Sequence, residues 1–393
     1  MQERGNAGDD TESRDSVRNE MKLKHSSERI LIYGAKSIAL GVCCAIEVLF
    51  PEKEILGFLV SKERNNPKTL RNLPVMGIAA CGEELGNKGI EKAEITVLIG
   101  TPETVHPEIV RMLVQYGFSR YICIDWSLEE KLMEGYYLKS GNFPSLHSLK
   151  YSCESRDLIS DRFRIFLVKS HKDSDLAGVW KQPEWMHTLQ AGAAQTELRI
   201  AEYTDHTGEN ISWKNSNYCE LTALYWIWKN VLNKQDEDDG YCGLFQYRRM
   251  LHIESGDIGR IFENQPDVIL PFPMLHEPDI REHHTRYMKE EDWHAMLQAL
   301  EELRPDYLDT FQKLLKEPFL YNYNIAIAKT KILKDYCSWL FPILERTEEL
   351  SSPKGWERSD RYIGYLGENL MTLYFRHHAK RLKIVHVGRV MLV

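Results

Sequence analysis

The sequence predicts an α/β protein of two domains, and three observations support this prediction. Short apolar runs alternate with helical patterns over residues 29–126, as is typical of parallel strands joined by crossover helices. A second series of strand and helix patterns starts at residue 164 and continues towards the C-terminus. The length of 393 residues, of which 43% are hydrophobic, is sufficient for two folded cores.

The first domain is predicted to contain a parallel sheet of four strands. Each predicted strand is apolar and leads into a turn or a helical segment. The predicted strands are Arg29–Tyr33, Ile55–Val60, Ala93–Gly100 and Tyr121–Asp125. Helices are expected after Gly34 and over Pro107–Tyr116. We therefore expect a disordered polar leader at 1–28, the first domain at 29–126 and a polar linker at 127–160.

The second domain, 161–393, is predicted to mix strands and helices. Its strands are expected over Arg164–Val168, Tyr241–Tyr247, Asp267–Leu270 and Tyr323–Ala328. Its main helices are expected over Tyr218–Asn230, Glu290–Leu300, Pro305–Lys316, Thr330–Leu344 and Arg361–Leu373. The first of these helices has an apolar face at helical spacing, formed by Leu221, Leu224, Tyr225, Trp228 and Leu232.

Composition and charge argue against several classes of protein. A formal net charge of −8 argues against a general nucleic-acid-binding protein, whose surface would be broadly basic. The eight cysteines show neither CxxC nor zinc-ligand spacing, which indicates reduced thiols in a cytoplasmic protein. The most apolar run near the start, Ile38–Phe50, is too short to span a bilayer and contains Glu47. The polar leader also lacks the apolar stretch of a signal peptide.

A glycine turn after the first strand could bind a phosphate or could serve only to turn the chain. Gly34 follows a strand and opens a helix, where backbone N–H groups can bind an anion. Lys36 and Ile38 stand where a dinucleotide-binding turn has small residues, and no acid ends the second strand to bind a ribose. We therefore expect no NAD and favour a tight turn. The segments IYGAKSIA and VLIGTPETVHPEIVRML resemble the Rossmann-like N-terminal domains attached to bacterial sugar-modifying enzymes.

The segment before the helix Tyr218–Asn230 carries polar residues suited to an anionic ligand. Lys214 and Asn215 lie just ahead of the positive end of the helix, where a phosphate or a sugar hydroxyl could bind. Asn217 and Glu220 fit an N-cap and its capping-box partner. Glu220 is therefore predicted either to cap the helix or to contact the ligand.

Two adjacent arginines end the strand that starts at Tyr241. Arg248 and Arg249 are neighbours, and alternation along a strand predicts that they face opposite sides. We therefore expect at most one of them in a given site. A guanidinium suits a diphosphate because its planar fork donates two hydrogen bonds. The alternative is an ion pair with the acids that precede the strand.

An acidic turn, QDEDDG, precedes the same strand. Asp236 and Asp238 have the DxD spacing of metal-dependent sugar-nucleotide enzymes. Carboxylates of this kind can hold a divalent cation through oxygen ligands, and Mn²⁺ or Mg²⁺ is the expected ion. Acidic turns are also common as solvated surface, so both interpretations stay open.

Two later segments carry polar residues beside apolar elements. Asn322 and Asn324 lie in or next to a predicted strand, where asparagine is disfavoured, so a polar role at its edge is expected. Arg361 and Glu368 are seven residues apart and would share a face of a continuous helix. The carboxylate of Glu368 could take a proton from an acceptor hydroxyl or could pair with Arg361.

These motifs together resemble one family. They are Lys214-Asn215, Tyr218, the run ELTALYWIWKN over 220–230, Gly243-Leu244, Tyr247-Arg248-Arg249, Tyr323-Asn324, Tyr336, Trp339-Leu340-Phe341, Arg361, Gly364 and Glu368. In this order they resemble the DUF4422 family, over roughly residues 164–375. Members of that family belong to bacterial capsule, exopolysaccharide and O-antigen loci and are regarded as glycosyltransferases.

The resemblance implies a GT-A-like α/β fold for the second domain and a set of site residues. The characteristic positions of the family correspond here to Asn215, Glu220, Tyr225, Tyr247, Arg248, Arg249, Asn324, Arg361 and Glu368. We assign Lys214 and Arg248 to the donor diphosphate, and the asparagines of the set to sugar or ribose hydroxyls. Glu368 is the expected general base, with Glu220 in reserve.

The chain departs from the family at one position. Histidine usually precedes Tyr-Arg-Arg, and Gln246 stands there in this chain. Glutamine can donate and accept hydrogen bonds but does not titrate near neutral pH. If that histidine moves a proton or holds a metal ion, this chain lacks that function.

The resemblance implies a cytoplasmic glycosyltransferase of hexosyltransferase type. It would move a sugar from a nucleotide-sugar donor, expected to be UDP-linked, to a glycan or a lipid-linked glycan. A lipid-linked acceptor would bring the protein to the inner face of the membrane as a peripheral contact. The alternative is a non-catalytic binding or scaffold protein of a polysaccharide assembly complex, with Gln246 marking lost catalysis. The incomplete glycine pattern argues against an NAD-dependent sugar oxidoreductase.

Overall fold

The computed structural model describes residues 22–152, 162–174, 180–234, 240–284, 286–354 and 357–392. The chain divides into two compact units, Met1–Asn142 and Phe143–Val393. The predicted leader, 1–28, lies mostly outside the described residues. The two aspartates predicted to hold a metal ion, Asp236 and Asp238, lie outside them entirely.

The N-terminal unit is built around a six-stranded sheet. Its strands are β1 (Arg29–Tyr33), β2 (Glu54–Val60), β3 (Thr69–Leu70), β4 (Leu73–Gly77), β5 (Ile95–Ile99) and β6 (Tyr121–Cys123). Its helices are α1 (Ser37–Leu49), α2 (Ile78–Asn87), α3 (His106–Gln115) and α4 (Trp126–Ser140). Strand residues such as Leu31 and Val97 are fully buried and form its core.

The strand order of this sheet is β3-β4-β2-β1-β5-β6. All its pairs are parallel except the short pair of β3 and β4. The order reverses between β1 and β5, as in a Rossmann-like sheet. Gly34 follows β1 with φ of 117°, and a Cβ there would lie 2.8 Å from the carbonyl oxygen of Gly100. Only glycine fits this turn.

The predicted parallel sheet of the first domain is confirmed. All four predicted strands are present, with ends shifted by at most two residues. The segment for which we expected a linker, 127–160, instead begins with α4, which packs against α1. The carboxylate of Asp125 caps α4 by accepting a hydrogen bond of 2.8 Å from the backbone N–H of Leu128. The polar composition of this segment gave no indication of this helix, and the N-terminal unit extends to Asn142.

The C-terminal unit contains two sheets among its described residues. Its strands are β7 (Phe163–Ser170), β8 (Met186–Ala191), β9 (Tyr203–Thr204), β10 (Tyr241–Gln246), β11 (Arg249–Leu251), β12 (Val268–Pro271), β13 (Met274–Leu275), β14 (Phe319–Leu320), β15 (Ala326–Lys329), β16 (Ile384–Val387) and β17 (Arg389–Met391). Its helices are α5 (Asn215–Tyr218), α6 (Leu221–Asn230), α7 (Ser255–Asn264), α8 (Ile280–His284), α9 (Glu290–Leu303), α10 (Leu308–Leu314), α11 (Thr330–Leu350) and α12 (Tyr362–His377). In the described part of the chain, no helix is both long enough and apolar enough to cross a membrane.

The main sheet of this unit has strand order β16-β12-β15-β10-β7-β8-β9. β15 is antiparallel to both of its neighbours, whereas β10, β7, β8 and β9 run parallel. Its core is apolar and includes the fully buried Phe163, Ile165, Phe245 and Ile327. The parallel strands bring their carboxyl ends to one edge of the sheet, and this edge positions the site described below.

Two predicted elements of this unit are interrupted or shortened by residues with positive φ. The predicted helix Tyr218–Asn230 is broken at Cys219, whose φ of 53° separates α5 from α6. The predicted strand Tyr323–Ala328 starts three residues later, because Tyr323 and Asn324 have φ of 76° and 51°. Residues other than glycine rarely adopt this conformation, and both breaks lie at the candidate site.

Candidate active site

A cavity of about 540 Å³ opens at the carboxyl edge of the parallel strands β8, β7 and β10. This volume is typical of small-molecule sites. Its wall comes from the strand ends and from the segments before α6 and α12. The lining residues are Val168, Ser170, Lys172, Asp173, Ala191, Asn215, Ser216, Cys219, Glu220, Gln246, Tyr247, Arg248, Arg249, Ser359 and Arg361.

The wall of this main cavity carries more positive than negative charge. Its cations are Lys172, Arg248, Arg249 and Arg361, and its carboxylates are Asp173 and Glu220. The local balance is opposite in sign to the net charge of −8 of the whole chain. A basic cavity at the carboxyl ends of parallel strands suits an anionic ligand.

A tight turn brings both neighbouring arginines to the cavity. β10 ends at Gln246, which pairs with Arg249, so the chain reverses through Tyr247 and Arg248. The prediction that at most one arginine faces a given site is therefore wrong. It assumed that the strand continues through Tyr247, and strand alternation does not apply across a turn.

An aromatic side chain holds Arg248 at the cavity. The Nε of Arg248 donates a hydrogen bond of 3.0 Å to the hydroxyl of Tyr247, and its guanidinium lies 5.2 Å from the centre of that ring. The ammonium of Lys169 lies 5.0 Å from the same ring. Tyr247 is 7% exposed, so its ring acts as a fixed platform for cations.

Arg249 and Gln246 connect the turn to the loop before β15. The Nη1 of Arg249 donates to the Oε1 of Gln246 at 3.0 Å, and its guanidinium lies 4.6 Å from the ring centre of Tyr323. The Nε2 of Gln246 donates to the carbonyl oxygen of Tyr323 at 2.9 Å. Gln246 thus uses both polar atoms of its amide to fix the turn. The Nε of Arg249 is buried and has no partner among the described residues.

Glu220 lies at the break between α5 and α6 and lines the cavity. Its Oε1 accepts a hydrogen bond of 2.7 Å from the Nδ2 of Asn324, which also donates to the carbonyl oxygen of Gly364 at 3.0 Å. The predicted capping box does not form, because the positive φ of Cys219 turns the chain before α6 starts. Burial raises the pKa of Glu220. The hydrogen bond from Asn324 and the charge of Arg361 lower this pKa, but by less than burial raises it.

Glu368 lies on α12 close enough to Glu220 for the two charges to repel each other, but it does not line the cavity. Its Oε1 accepts a hydrogen bond of 2.9 Å from the backbone N–H of Tyr323, and its Oε2 accepts one of 3.0 Å from the Nδ2 of Asn322. Burial raises the pKa of Glu368 to about 7, and the charge of Glu220 adds to the rise. The site therefore contains two carboxylates with raised pKa values, of which Glu220 faces the ligand space.

Arg361 and Glu368 do not form the shared helix face that the sequence predicts. Arg361 precedes α12 as its N-cap residue, with φ of 67°, and is not part of the continuous helix. Its Nε donates to the Sγ of Cys219 at 3.2 Å, and its side chain lines the cavity. Burial raises the pKa of Cys219 to about 12, so this thiol is neutral at physiological pH. Cys219 therefore does not neutralise the positive charge of Arg361.

The two asparagines of the predicted site hold its backbone together. Asn215 lines the cavity, and its Nδ2 donates to the carbonyl oxygen of Cys219 at 2.8 Å and to the hydroxyl of Thr222 at 3.1 Å. Asn324 holds Glu220, and its Oδ1 is buried without a partner among the residues that the structure describes. Asn215 therefore stabilises the helix break, while Asn324 orients the carboxylate.

Two residues predicted to bind the donor lie elsewhere. The ammonium of Lys214 pairs with the buried carboxylate of Glu348 on α11 and lines a second, smaller cavity. The hydroxyl of Tyr225 donates to Glu209 at 3.0 Å, and its ring lies 5.0 Å from that of Phe341. Neither lines the main cavity. Nearness to a helix start in the sequence does not say which side of the fold a residue faces.

Part of the cavity wall was not predicted from the sequence. The missed residues lie at strand ends or ahead of helices, and they are Val168, Ser170, Lys172, Asp173, Ala191, Ser216, Cys219 and Ser359. The residues at the end of β7 could have been predicted from the end of the expected strand, because ligands bind at the carboxyl ends of parallel strands. The serines have no pattern of their own that marks them.

The described residues contain no group of three or more His, Cys, Asp or Glu side chains placed to hold a metal ion. The acidic run with Asp236 and Asp238 is outside the described ranges. Asp173 and Glu220 supply carboxylates to the cavity wall. Mg²⁺ commonly binds through one or two carboxylates together with substrate phosphates, so these residues are compatible with an ion that accompanies a bound diphosphate.

Comparisons with known proteins show a matching family and similar solved structures. The family described as Domain of unknown function (DUF4422) matches residues 165–380. Among solved structures, the apo structure of WbbM, a bifunctional glycosyltransferase, is 25% identical with a TM-score of 0.51. The match covers 59% of this chain and 45% of that chain, so this chain spans less than half the length of that neighbour. The α/β fold predicted for the second domain is consistent with this neighbour.

Two structures of RSP, a Rex-family repressor, also match part of the chain. One is 13% identical and covers 27% of this chain and 51% of its own. The other, in complex with beta-NADH, is 12% identical and covers 28% and 52%. Both have a TM-score of 0.21. No curated protein sequence matches the chain.

Proposed function

The chain belongs to the DUF4422 family, and we propose that it is a glycosyltransferase. It transfers a sugar, a hexose in the simplest case, from a nucleotide-sugar donor to a growing capsular, exopolysaccharide or O-antigen glycan. UDP is the expected nucleotide. The solved neighbour named as a bifunctional glycosyltransferase supports the activity in general terms, and the guanidinium groups of the cavity support a donor that contains a diphosphate.

One observation carries the proposal, namely that three arginines and a carboxylate of raised pKa line one cavity. Arg248, Arg249 and Arg361 offer guanidinium donors to the two phosphates of a sugar nucleotide. Glu220 lines the same cavity, and its raised pKa makes it a stronger base than an ordinary carboxylate. A direct displacement of the diphosphate by an acceptor hydroxyl uses both groups in one place.

The proposed step is a direct displacement at the anomeric carbon of the donor sugar. The hydroxyl oxygen of the acceptor forms a bond to that carbon. The bond from that carbon to the diphosphate oxygen breaks, and its electron pair leaves with the diphosphate. Glu220 takes the proton of the attacking hydroxyl. Arg248 and Arg361 stabilise the negative charge of the leaving diphosphate.

Glu220 replaces Glu368 as the proposed base. Glu368 does not line the cavity, and each of its oxygens accepts a hydrogen bond within the protein. These bonds hold the loop that carries Asn324, which in turn orients Glu220. Glu368 is therefore proposed as a positioning residue.

We also propose an ion, an acceptor and a location for this protein. Mn²⁺ or Mg²⁺ is a proposed cofactor that would bind the donor phosphates, and NAD has no part in the reaction. A lipid-linked glycan is a proposed acceptor. It would bring a cytoplasmic protein to the inner face of the membrane through a peripheral contact.

The test of this function is release of free nucleotide from a panel of sugar nucleotides by the purified protein. The panel includes UDP-linked and GDP-linked sugars, each with Mn²⁺, with Mg²⁺ and with a chelator. Release from one donor would identify the nucleotide, and its dependence on the ion would decide whether the cation takes part. Absence of release, together with absence of donor binding by calorimetry, would contradict the proposal. Donor binding without turnover in the presence of glycan acceptors would favour the scaffold alternative.

Replacement of Glu220 by glutamine should remove the base while keeping the shape of the side chain. We expect kcat to fall by about 10²–10⁴-fold, the usual contribution of a general base, with little change in UDP affinity. Wild-type kcat should rise as the pH passes upward through the raised pKa of Glu220, because only the ionised carboxylate accepts a proton. Glu368→Gln is the matched comparison and should retain more activity. Wild-type turnover in Glu220→Gln would refute this assignment.

Arg248→Ala should weaken the binding of UDP. Hydrogen bonds between charged groups contribute roughly 1.5–3 kcal/mol, which corresponds to about a tenfold to hundredfold change in Kd. Calorimetry with UDP measures this change. Arg346→Ala is the control, because Arg346 pairs with Glu302 and Glu349 and does not line the cavity. Equal losses in both variants would mean that Arg248 has no specific contact with the nucleotide.

A further inference from the structure

We propose that the second, smaller cavity of the C-terminal unit binds one sugar ring of the acceptor glycan. This inference rests on the proposed glycosyltransferase function and adds the acceptor site to it. The cavity has a volume of about 270 Å³, below the usual range of sites for drug-sized ligands, which suits a single pyranose ring. Ser216 and Ser359 line both cavities, so the two lie side by side.

A buried carboxylate in the wall of this cavity has one oxygen without a partner. Glu348 on α11 is 1% exposed and lines the cavity. Its Oε2 accepts hydrogen bonds from the ammonium of Lys214 and, at 3.1 Å, from the hydroxyl of Tyr218. Its Oε1 is buried and has no hydrogen-bond partner among the described residues. An unpaired buried acceptor is unfavourable, and a hydroxyl of a bound ligand would satisfy it.

An exposed indole forms another part of the wall. Trp213 is 54% exposed, which is unusual for tryptophan, and it lines the cavity. The ammonium of Lys214 lies 5.2 Å from the centre of its ring. The flat apolar face of an indole can pack against the C–H face of a pyranose, while the sugar hydroxyls turn towards polar groups.

The charges of the wall favour a neutral polyhydroxy ligand over an anion, because Lys214 and Arg358 are balanced by Glu348 and Glu357. The ammonium of Lys214 is paired with Glu348. The guanidinium of Arg358 donates two hydrogen bonds of 2.7 Å to Asp292. Carboxylates within the protein thus compensate both cations, so a bound anion would gain little from them. A sugar can instead donate a hydroxyl to Glu348 and place its ring on Trp213.

The shared wall connects the acceptor site to the proposed reaction. Ser216 and Ser359 separate the second cavity from the main cavity, which Glu220 and the arginines line. A glycan held by one ring in the second cavity would direct its next hydroxyl into the main cavity. Binding there would hold the nucleophile near the base and the donor before the reaction.

Saturation-transfer NMR with simple sugars tests this site. The probes are the methyl pyranosides of glucose, galactose, mannose and N-acetylglucosamine, titrated into the full chain with and without UDP. The wild-type protein should bind at least one of them. Trp213→Ala should weaken that binding about tenfold or more and leave the Kd of UDP unchanged. Trp213→Tyr, which keeps an aromatic face, should restore it.

Leu138→Ala is the matched control, because Leu138 is also 54% exposed but lies in the N-terminal unit. It should bind both UDP and the methyl pyranosides like the wild type. Equal sugar binding by the wild type and Trp213→Ala, or no binding of any probe to the wild type, would overturn the inference. Failure of UDP to bind would count against the proposed function instead, and the titrations without UDP would still decide the acceptor site.

Discussion

At the scale of single residues, the site holds two carboxylates in an environment that disfavours their charge. Burial raises the pKa of both Glu220 and Glu368. Each accepts a hydrogen bond from an asparagine, Asn324 for Glu220 and Asn322 for Glu368. These bonds favour the charged forms, but burial outweighs them. Such perturbed groups are typical of sites where a proton moves.

Glu368→Gln should make the stability of the protein less dependent on pH. The pKa of Glu368 is about 7 in the folded chain, against an ordinary value of 4.5. The group is neutral in both states at low pH, and as the pH rises the unfolded chain ionises first. The free energy of unfolding of the wild type therefore falls between these two values. As the pH rises from about 4.5 to about 8, the free energy of unfolding of the variant should increase by about 1–3 kcal/mol relative to that of the wild type. Chemical denaturation at several pH values measures this difference.

Glu302→Gln provides a control of opposite sign. The hydrogen bond from Arg346 lowers the pKa of Glu302. The stability contributed by Glu302 is therefore present above its ordinary pKa and is lost on acidification. As the pH rises, the free energy of unfolding of Glu302→Gln should therefore decrease relative to that of the wild type. If Glu368→Gln shows no gain between the two pH values, Glu368 is solvated in the folded protein and is not a buried member of the site.

At the scale of elements, the site depends on a close approach of α12 to the helix break. A Cβ on Gly367 would lie 2.7 Å from the Cδ1 of Leu221 and 3.1 Å from the Oδ1 of Asn324. A Cβ on Gly364 would lie 3.3 Å from the Sγ of Cys219. The small residues of α12 thus allow Asn324 to reach between the helices and hold Glu220.

Gly367→Ala should destabilise the protein and reduce turnover. The added methyl group overpacks the contact with Leu221 and presses on Asn324, and we expect a loss of about 1–3 kcal/mol in the free energy of unfolding. Gly256→Ala in α7 is the control, because no atom lies within 4 Å of its added Cβ. The control should be neutral or more stable by up to about 1 kcal/mol. Thermal unfolding distinguishes them, and equal Tm values would mean that α12 can shift to make room.

The elements of the fold were largely predictable, because hydrophobic periodicity is a local property of the chain. The strands of the N-terminal sheet illustrate this, with ends shifted by at most two residues. The break at Cys219 and the late start of β15 after Tyr323 and Asn324 were not predictable in this way, because all three residues have positive φ. Positive φ at a residue other than glycine is locally unfavourable and persists only when surrounding contacts hold it.

At the scale of the whole molecule, charge is distributed unevenly. The chain carries a net charge of −8, yet the main cavity has four cations against two carboxylates in its wall. Surface charges beyond the Debye length of about 8 Å are largely screened at physiological salt. The local cations therefore decide the affinity for an anionic donor, while the remote acids act mainly at low salt.

The binding of UDP should weaken as the salt concentration rises. Raising NaCl from about 50 mM to about 500 mM shortens the Debye length and screens the attraction between the diphosphate and the guanidinium groups. We expect the Kd of UDP to increase several-fold in calorimetry. Arg248→Ala should show a shallower dependence, because one of the screened charges is gone. A Kd that does not change with salt would indicate that uncharged contacts dominate.

The sequence by itself determined the α/β class, the positions of most elements and the residue types that gather at the site. Glu220, Arg248 and Asn324 were predicted from it, and the structure places all three at or beside one cavity. The fold class and most elements were predictable because periodicity is a local property of the chain, whereas the functional roles of these three residues stay predictions.

Only the tertiary structure decided which of these residues meet. It pairs Lys214 with Glu348, 134 residues further along the chain, and so removes this lysine from the main cavity. It joins Glu220 to Asn324 across 104 residues, and it does not place Glu368 in the lining of the cavity. Contacts between distant parts of the chain depend on how whole helices and strands pack, and local sequence patterns contain no information on that packing.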